Sequence, residues 1–117
     1  MQMISDGFII FAKRYCPTCT MLEPVYRELA DSTTQIVIYS QDDPTFPESV
    51  GGVVDDCALE RSYRLGVETV PTLILMKSGQ EVARTVGWHQ EEWRNLTGIS
   101  SLGAGLPDYR PGCGSVR

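Results

Sequence analysis

Residues Phe8 to Cys19 read Phe-Ile-Ile-Phe-Ala-Lys-Arg-Tyr-Cys-Pro-Thr-Cys. The first five are a short unbroken apolar run of branched and aromatic side chains, the pattern of a strand covered on both faces. A basic pair, an aromatic residue and two closely spaced cysteines follow it. Beyond Cys19 the period changes: Met21, Leu22, Val25, Tyr26 and Leu29 recur at helical spacing, with Glu23, Arg27, Glu28 and Asp31 between them. Pro24 falls inside this helix and is expected to bend it. Ile36 to Tyr39 supplies a second apolar run, so the chain opens as strand, helix, strand, the signature of a right-handed parallel crossover in an α/β domain.

Further along, Asp42 to Val54 holds Pro44, Pro47, Gly51 and Gly52 and reads as a loop long enough to suggest a function. Asp55 or Asp56 can cap a helix through Cys57, Leu59, Tyr63 and Leu65 that ends at Gly66. Thr72 to Met76 and Glu81 to Val86 form a hairpin about Ser78-Gly79, and Trp88 to Leu96 forms a last helix with Trp93 and Leu96 facing the sheet. From Thr97 onward the composition turns to Gly, Ser and Pro without periodicity. The expected organisation is one domain over residues 1–96 and an irregular tail over 97–117.

Composition narrows the function classes. The chain has 117 residues, 42% of them hydrophobic, which suffices for one buried core. Ten basic against fifteen acidic residues give a net charge of −5, without the basic stripe that draws a protein onto nucleic acid. No stretch approaches the ~20 apolar residues that cross a bilayer, and the first residues lack the pattern of a secretory leader. A soluble, cytoplasmic monomer is expected, or a periplasmic or exported one if a leader was removed.

The four cysteines are too few for a disulfide-built scaffold. Cys16 falls where a strand ends and a helix begins, so its sulfur faces unpaired backbone donors and the positive end of the helix dipole, both of which favour thiolate. A thiolate there attacks a disulfide to form a mixed disulfide, and Cys19 resolves it. The competing reading is half of a zinc site, which needs two further ligands from Cys57, Cys113 and His89.

The chain resembles the thioredoxin superfamily over about Gly7 to Leu96. The close pair after a buried strand, Pro24 five residues beyond Cys19, Thr69-Val70-Pro71-Thr72, the Ser78-Gly79 hairpin and Gly87 carry the resemblance. It implies a thioredoxin-like fold, a central four-stranded mixed sheet flanked by helices, and a cis Val70-Pro71 bond beside Cys16. It also implies that Val70 offers its backbone to a partner polypeptide. Tyr15, Pro17, Thr18, Val70 and Pro71 are thus the candidate substrate-binding residues, with Cys16 and Cys19 catalytic.

Several departures accompany the likeness. Only six residues precede the first strand, as in a minimal, glutaredoxin-sized core; Tyr15 stands where thioredoxins have tryptophan; Ile10 stands where they have a buried carboxylate. Without that base, Cys19 would react more slowly or through a water. Pro17 is similar to glutaredoxins, but Gly51-Gly52 with Asp55-Asp56 lies before Pro71, so glutathione dependence is unsupported.

The implied function is thiol-disulfide exchange on protein or small disulfides, with electrons from a reductase or a thiol and no metal or organic cofactor. A binding module with idle cysteines is the rival. Lys13 and Arg14 can lower the Cys16 pKa or simply be solvated. Cys57 reads as a small core residue, His89 as solvent-facing, and Trp88 and Trp93 as core. Cys113 is the candidate accessory thiol: ~15 residues beyond the last helix can extend ~50 Å, enough to cap Cys16, although a passive surface thiol or the join to a further domain fits equally.

Overall fold

The structure is a computed structural model that describes residues 5–32, 35–48 and 50–116. Its centre is strand β1 (Gly7–Ala12), buried along nearly its whole length. β1 pairs in parallel with β2 (Ile36–Ser40) on one side and antiparallel with β5 (Thr72–Lys77) on the other. A strand hydrogen-bonded on both edges and covered on both faces must be apolar throughout, which is why Phe8-Ile-Ile-Phe-Ala does not alternate. β6 (Gln80–Val86) extends the sheet beyond β5, and β3 (Val53–Asp55) extends it beyond β2, giving the order β3-β2-β1-β5-β6.

The sheet therefore has five strands rather than the expected four. The extra strand is the end of the segment read as loop. Val53 and Val54 pair in parallel with Ile38 and Tyr39, a register that two valines could not announce beside Gly51-Gly52. The β5–β6 turn holds both Ser78 and Gly79 at positive φ, as a two-residue primed hairpin requires.

Between β1 and β2 the helix is split as Pro24 demands, into α1 (Pro17–Met21) and α2 (Glu23–Asp31), with the break at Leu22. Leu22, Val25, Tyr26 and Leu29 turn inward and are fully buried. The next helix is shorter than expected. α3 covers only Glu60–Arg64, because the Asp56 carboxylate accepts from Arg61 N, Ser62 N and the Ser62 hydroxyl and so caps the chain late. Two residues placed in the apolar face of that helix are consequently outside the core: Cys57 is exposed, and Tyr63 is 89% exposed.

Past a two-residue strand β4 (Thr69–Val70) and the β5–β6 hairpin, Trp88 lies in a short strand β7 (Trp88–His89) rather than in α4 (Gln90–Thr97). Trp88 and Trp93 are both fully buried and meet edge to face at 5.2 Å. His89 is not free in solvent. Its ring lies 4.4 Å from that of Tyr109 and 3.6 Å from a Glu92 carboxylate oxygen.

The tail is where expectation and structure differ most. Irregular apart from two short strands, it folds back over the domain: Leu102 is fully buried, the Trp88 indole N–H donates to the Pro107 carbonyl at 2.7 Å, and β8 (Tyr109–Arg110) pairs with β7. A last strand, β9 (Cys113–Gly114), pairs with β4. These pairings are carried by backbone groups, to which side-chain periodicity is blind. Gly103 fixes the path, since at φ +68° a Cβ there would stand 2.6 Å from the Trp88 ring. Gly103→Ala is expected to lose about 2–4 kcal/mol, from positive-φ strain and overpacking together, read as a lower denaturant midpoint with unchanged slope; an unchanged midpoint would contradict this packing.

Candidate active site

Cys16 is the N-cap of α1, with extended backbone (φ −145°, ψ 110°), and Pro17 supplies the helix start. An N-cap side chain faces the orphan N–H groups of the first turn. The Cys16 sulfur accepts the Cys19 N–H at 3.4 Å, and in its thiol form donates to the Val70 carbonyl at 3.7 Å. It is only 1% exposed, and Cys19 is fully buried behind it.

The two thiols are driven apart electrostatically. Hydrogen bonding from the Cys19 thiol, helped by the Cys113 thiol and the backbone N–H groups of Cys19 and Cys113, outweighs burial and brings Cys16 down to about 5. Burial and the proton shared with Cys16 push Cys19 up, against a backbone hydrogen bond from Lys13. One sulfur is thus prepared as a thiolate while the other keeps its proton.

The loop over residues 41–52 holds the approach to this pair. Asp42 accepts the backbone N–H groups of Arg14 at 2.7 Å and Tyr15 at 3.0 Å, fixing the turn that delivers Cys16. Arg14 reaches back to Asp43 at 2.5 Å and to Glu48 and lies over the Phe46 ring. Asp43 is held down at about 2 by the Thr45 hydroxyl and N–H and by Arg14. Arg14 is therefore a strut of this loop, and Asp42 is a positioning residue that the sequence reading passed over as loop.

On the opposite side stands the proline loop. The Val70-Pro71 bond is cis, Val70 and Pro71 are buried, and the Val70 carbonyl faces Cys16. A second cis bond, Phe46-Pro47, lies in the 41–52 loop. Tyr15 is 81% exposed on the rim and Pro17 is exposed beside it, whereas Thr18 is buried and donates its hydroxyl to the Pro111 carbonyl at 2.7 Å. Cys16, Cys19, Thr18, Val70, Pro71 and Cys113 are brought together; Cys57 stands apart from them. Its thiol is raised to about 11, first by its hydrogen bond to Asp55, which makes it a poor nucleophile at neutral pH.

Ile10 is fully buried opposite Ile38 and Leu73, in apolar surroundings. The buried Tyr26 hydroxyl donates to the Cys19 carbonyl at 2.9 Å and is held protonated by burial. Its place seven residues after Cys19, on the inward face, was the available signal. Among the described residues no group of three or more His, Cys, Asp or Glu side chains is arranged to hold a metal ion, and no helix is long and apolar enough to cross a membrane.

Comparison with known proteins identifies the family. The family profile described as Thioredoxin matches residues 3–96. A thioredoxin of Chlamydia muridarum is 33% identical over 86 residues, covering 72% of each chain. Thioredoxin H2-1 of Oryza sativa subsp. japonica is 34% identical over 85 residues, covering 72% of this chain and 52% of its own, so the chain spans about half the length of that relative. Among solved structures, a mutant thioredoxin from Halobacterium salinarum is 28% identical with a TM-score of 0.51, covering 88% of this chain and 79% of its own. The reduced Schistosoma mansoni thioredoxin pre-protein, 18% identical with a TM-score of 0.58 and covering 79% and 77%, shares the fold.

The lowered Cys16 pKa makes a pH prediction. A thiol whose folded pKa lies below its ordinary 9.0 contributes stability that is complete above that value and is lost as pH falls through about 5. Cys19, raised in the fold, has the opposite sign and withdraws stability above pH 9.0. Ultraviolet thiolate absorbance is expected to rise in a step near pH 5 that Cys16→Ser removes. A first step only near 9 would contradict the arrangement.

Proposed function

The chain belongs to the thioredoxin family, and we propose that it is a thiol-disulfide oxidoreductase in which Cys16 attacks a disulfide of a polypeptide substrate and Cys19 completes the exchange. The observation that carries this reading is the position of the Cys16 sulfur at the α1 N-cap, hydrogen-bonded by the Cys19 N–H and facing the Val70 carbonyl. A thiolate at neutral pH is the attacking species. It forms a bond to one substrate sulfur and expels the other as thiolate. Cys19, its proton removed, then attacks Cys16 and releases the second substrate thiol, leaving a Cys16–Cys19 disulfide that an external reductase or thiol must reduce.

Val70 supports substrate placement. Its backbone can pair with an extended segment, so affinity comes from main-chain hydrogen bonds and the reacting sulfur is set beside Cys16. Tyr15 and Pro17, exposed on the rim, are suited to contact the same partner. Cys19 is fully buried and Ile10 stands where the resemblance implies a carboxylate, so deprotonation of Cys19 is the slow half of the cycle on this reading.

Reduction of a protein disulfide under a continuous supply of dithiol tests the proposal. Cys16→Ser is expected to lose turnover by roughly a thousandfold or more, while Cys19→Ser, mixed with the substrate disulfide without dithiol, is expected to accumulate a covalent adduct between Cys16 and substrate. Equal turnover in Cys16→Ser and the wild type would remove the catalytic assignment, and if both ran at the rate of dithiol alone the chain would be a binding module.

A further inference from the structure

The edge that a substrate strand would use is already occupied by the chain's own C-terminus. β9 runs antiparallel to β4 with Cys113 opposite Val70 and Gly114 opposite Thr69. Resting on the reading of Cys16 as the nucleophile, we propose that residues 111–114 are a tethered counterpart of the substrate strand and that Cys113 is a third redox thiol, which closes a disulfide with Cys16 when the protein meets a small disulfide oxidant.

Three features place Cys113 there. The strand is held on both sides of it by the elements that carry the nucleophile: Thr18 donates to the Pro111 carbonyl at 2.7 Å, and Lys13 Nζ donates to the Gly114 carbonyl at 2.6 Å. Ser115 N donates to the Glu68 carbonyl at 3.0 Å and continues the alignment past β9. Gly112 allows the close approach, because a Cβ at that residue would lie 2.3 Å from the Val70 oxygen. The register sets Cys113 opposite Val70, whose carbonyl faces the Cys16 sulfur, and Cys113 contributes to lowering the Cys16 pKa. Lys13, Thr18 and Pro111, ordinary residues when read singly, acquire a role through this contact.

The chemistry balances within two thiols and one disulfide. The Cys16 thiolate attacks an oxidant RSSR and expels RS⁻, giving a Cys16–SR mixed disulfide. Cys113, its proton lost to solvent, then attacks the Cys16 sulfur and expels the second RS⁻; the protein has lost two electrons and RSSR has become two thiols. Cys113 thus competes with Cys19 for the same sulfur. With β9 docked Cys16 is 1% exposed, so either kind of disulfide must first lift β9; a polypeptide partner then holds the Val70 edge, whereas a small one leaves it free for β9 to dock again. Displacement is feasible because a pairing of two residues is marginal by itself, while tethering gives Cys113 a millimolar or higher effective concentration at Cys16.

The test uses the 117-residue chain carrying Cys19→Ser, which leaves Cys16 without its helical partner. The protein is exposed to oxidised glutathione, quenched in acid, alkylated, digested and mapped by mass. The expected product is a Cys16–Cys113 link within one chain, and adding Cys113→Ser is expected to raise the Cys16–glutathione adduct roughly tenfold or more. Gly112→Ala, which keeps the thiol but obstructs the register, is expected to shift product from the link to the adduct. A Cys16–glutathione adduct with Cys113 still alkylatable, a link found only between two chains, or a link untouched by Gly112→Ala would each overturn the proposal. Cys16 that takes up neither partner would overturn the nucleophile assignment and this proposal with it.

Discussion

Everything at the site depends on one sulfur being buried at a helix N-terminus. Cys16 gives up water and in return meets the Cys19 N–H and the Cys19 thiol. Hydrogen bonds to a charged sulfur in a shielded place are worth more than the same bonds in water, so the fold makes a reactive anion without a metal-like charge beside it. The surrounding architecture serves this placement. β1, held between a parallel and an antiparallel neighbour, cannot shift its end; Asp42 fastens the turn after it; and Pro24, bending the helix at Leu22, turns the Tyr26 hydroxyl onto the Cys19 carbonyl.

Beside this sulfur runs the Thr69–Val70 edge, and such an edge left unpaired is a template for another strand. In this chain the C-terminus fills it. The tail passes the buried Trp88, pairs beside it through β8, clears Gly87 and ends along β4. At Gly87 a Cβ would lie 3.2 Å from both the Arg110 carbonyl oxygen and Gly112 N, so the crossing needs glycine on the domain side as well as at Gly112. Substrate edge and tail edge are one edge, which couples access to the site with the docking of the last residues.

Much of this was legible in the sequence, and the division has physical causes. β1, β2, the bent helix, the β5–β6 hairpin and the reactive pair were readable because buried strands, helix faces, prolines and primed turns leave marks on side-chain identity. Val70-Pro71 beside Cys16 was legible through family likeness, not through spacing. What escaped was fixed by backbone groups or by isolated polar contacts: the three-residue β3, the late cap of α3 by Asp56, and the hold of Asp42 on the turn before Cys16. Cys57 was misplaced because helical periodicity was extended across residues that Asp56 keeps out of the helix. The tail was unreadable for the same reason, since its order comes from carbonyl and N–H partners on β4 and β7, and Gly and Pro enrichment marks such a path as readily as a loose one.

Residue-resolved redox titration tests the central claim most directly. The wild-type chain is equilibrated in thiol buffers of graded potential, and each cysteine is scored by alkylation and mass. The account predicts that Cys16 leaves the alkylatable pool in one two-electron step, with its partner inside the same chain and Cys57 alkylatable throughout. Cys16 and Cys19 that both remained alkylatable at every potential, up to fully oxidising buffer, would contradict it.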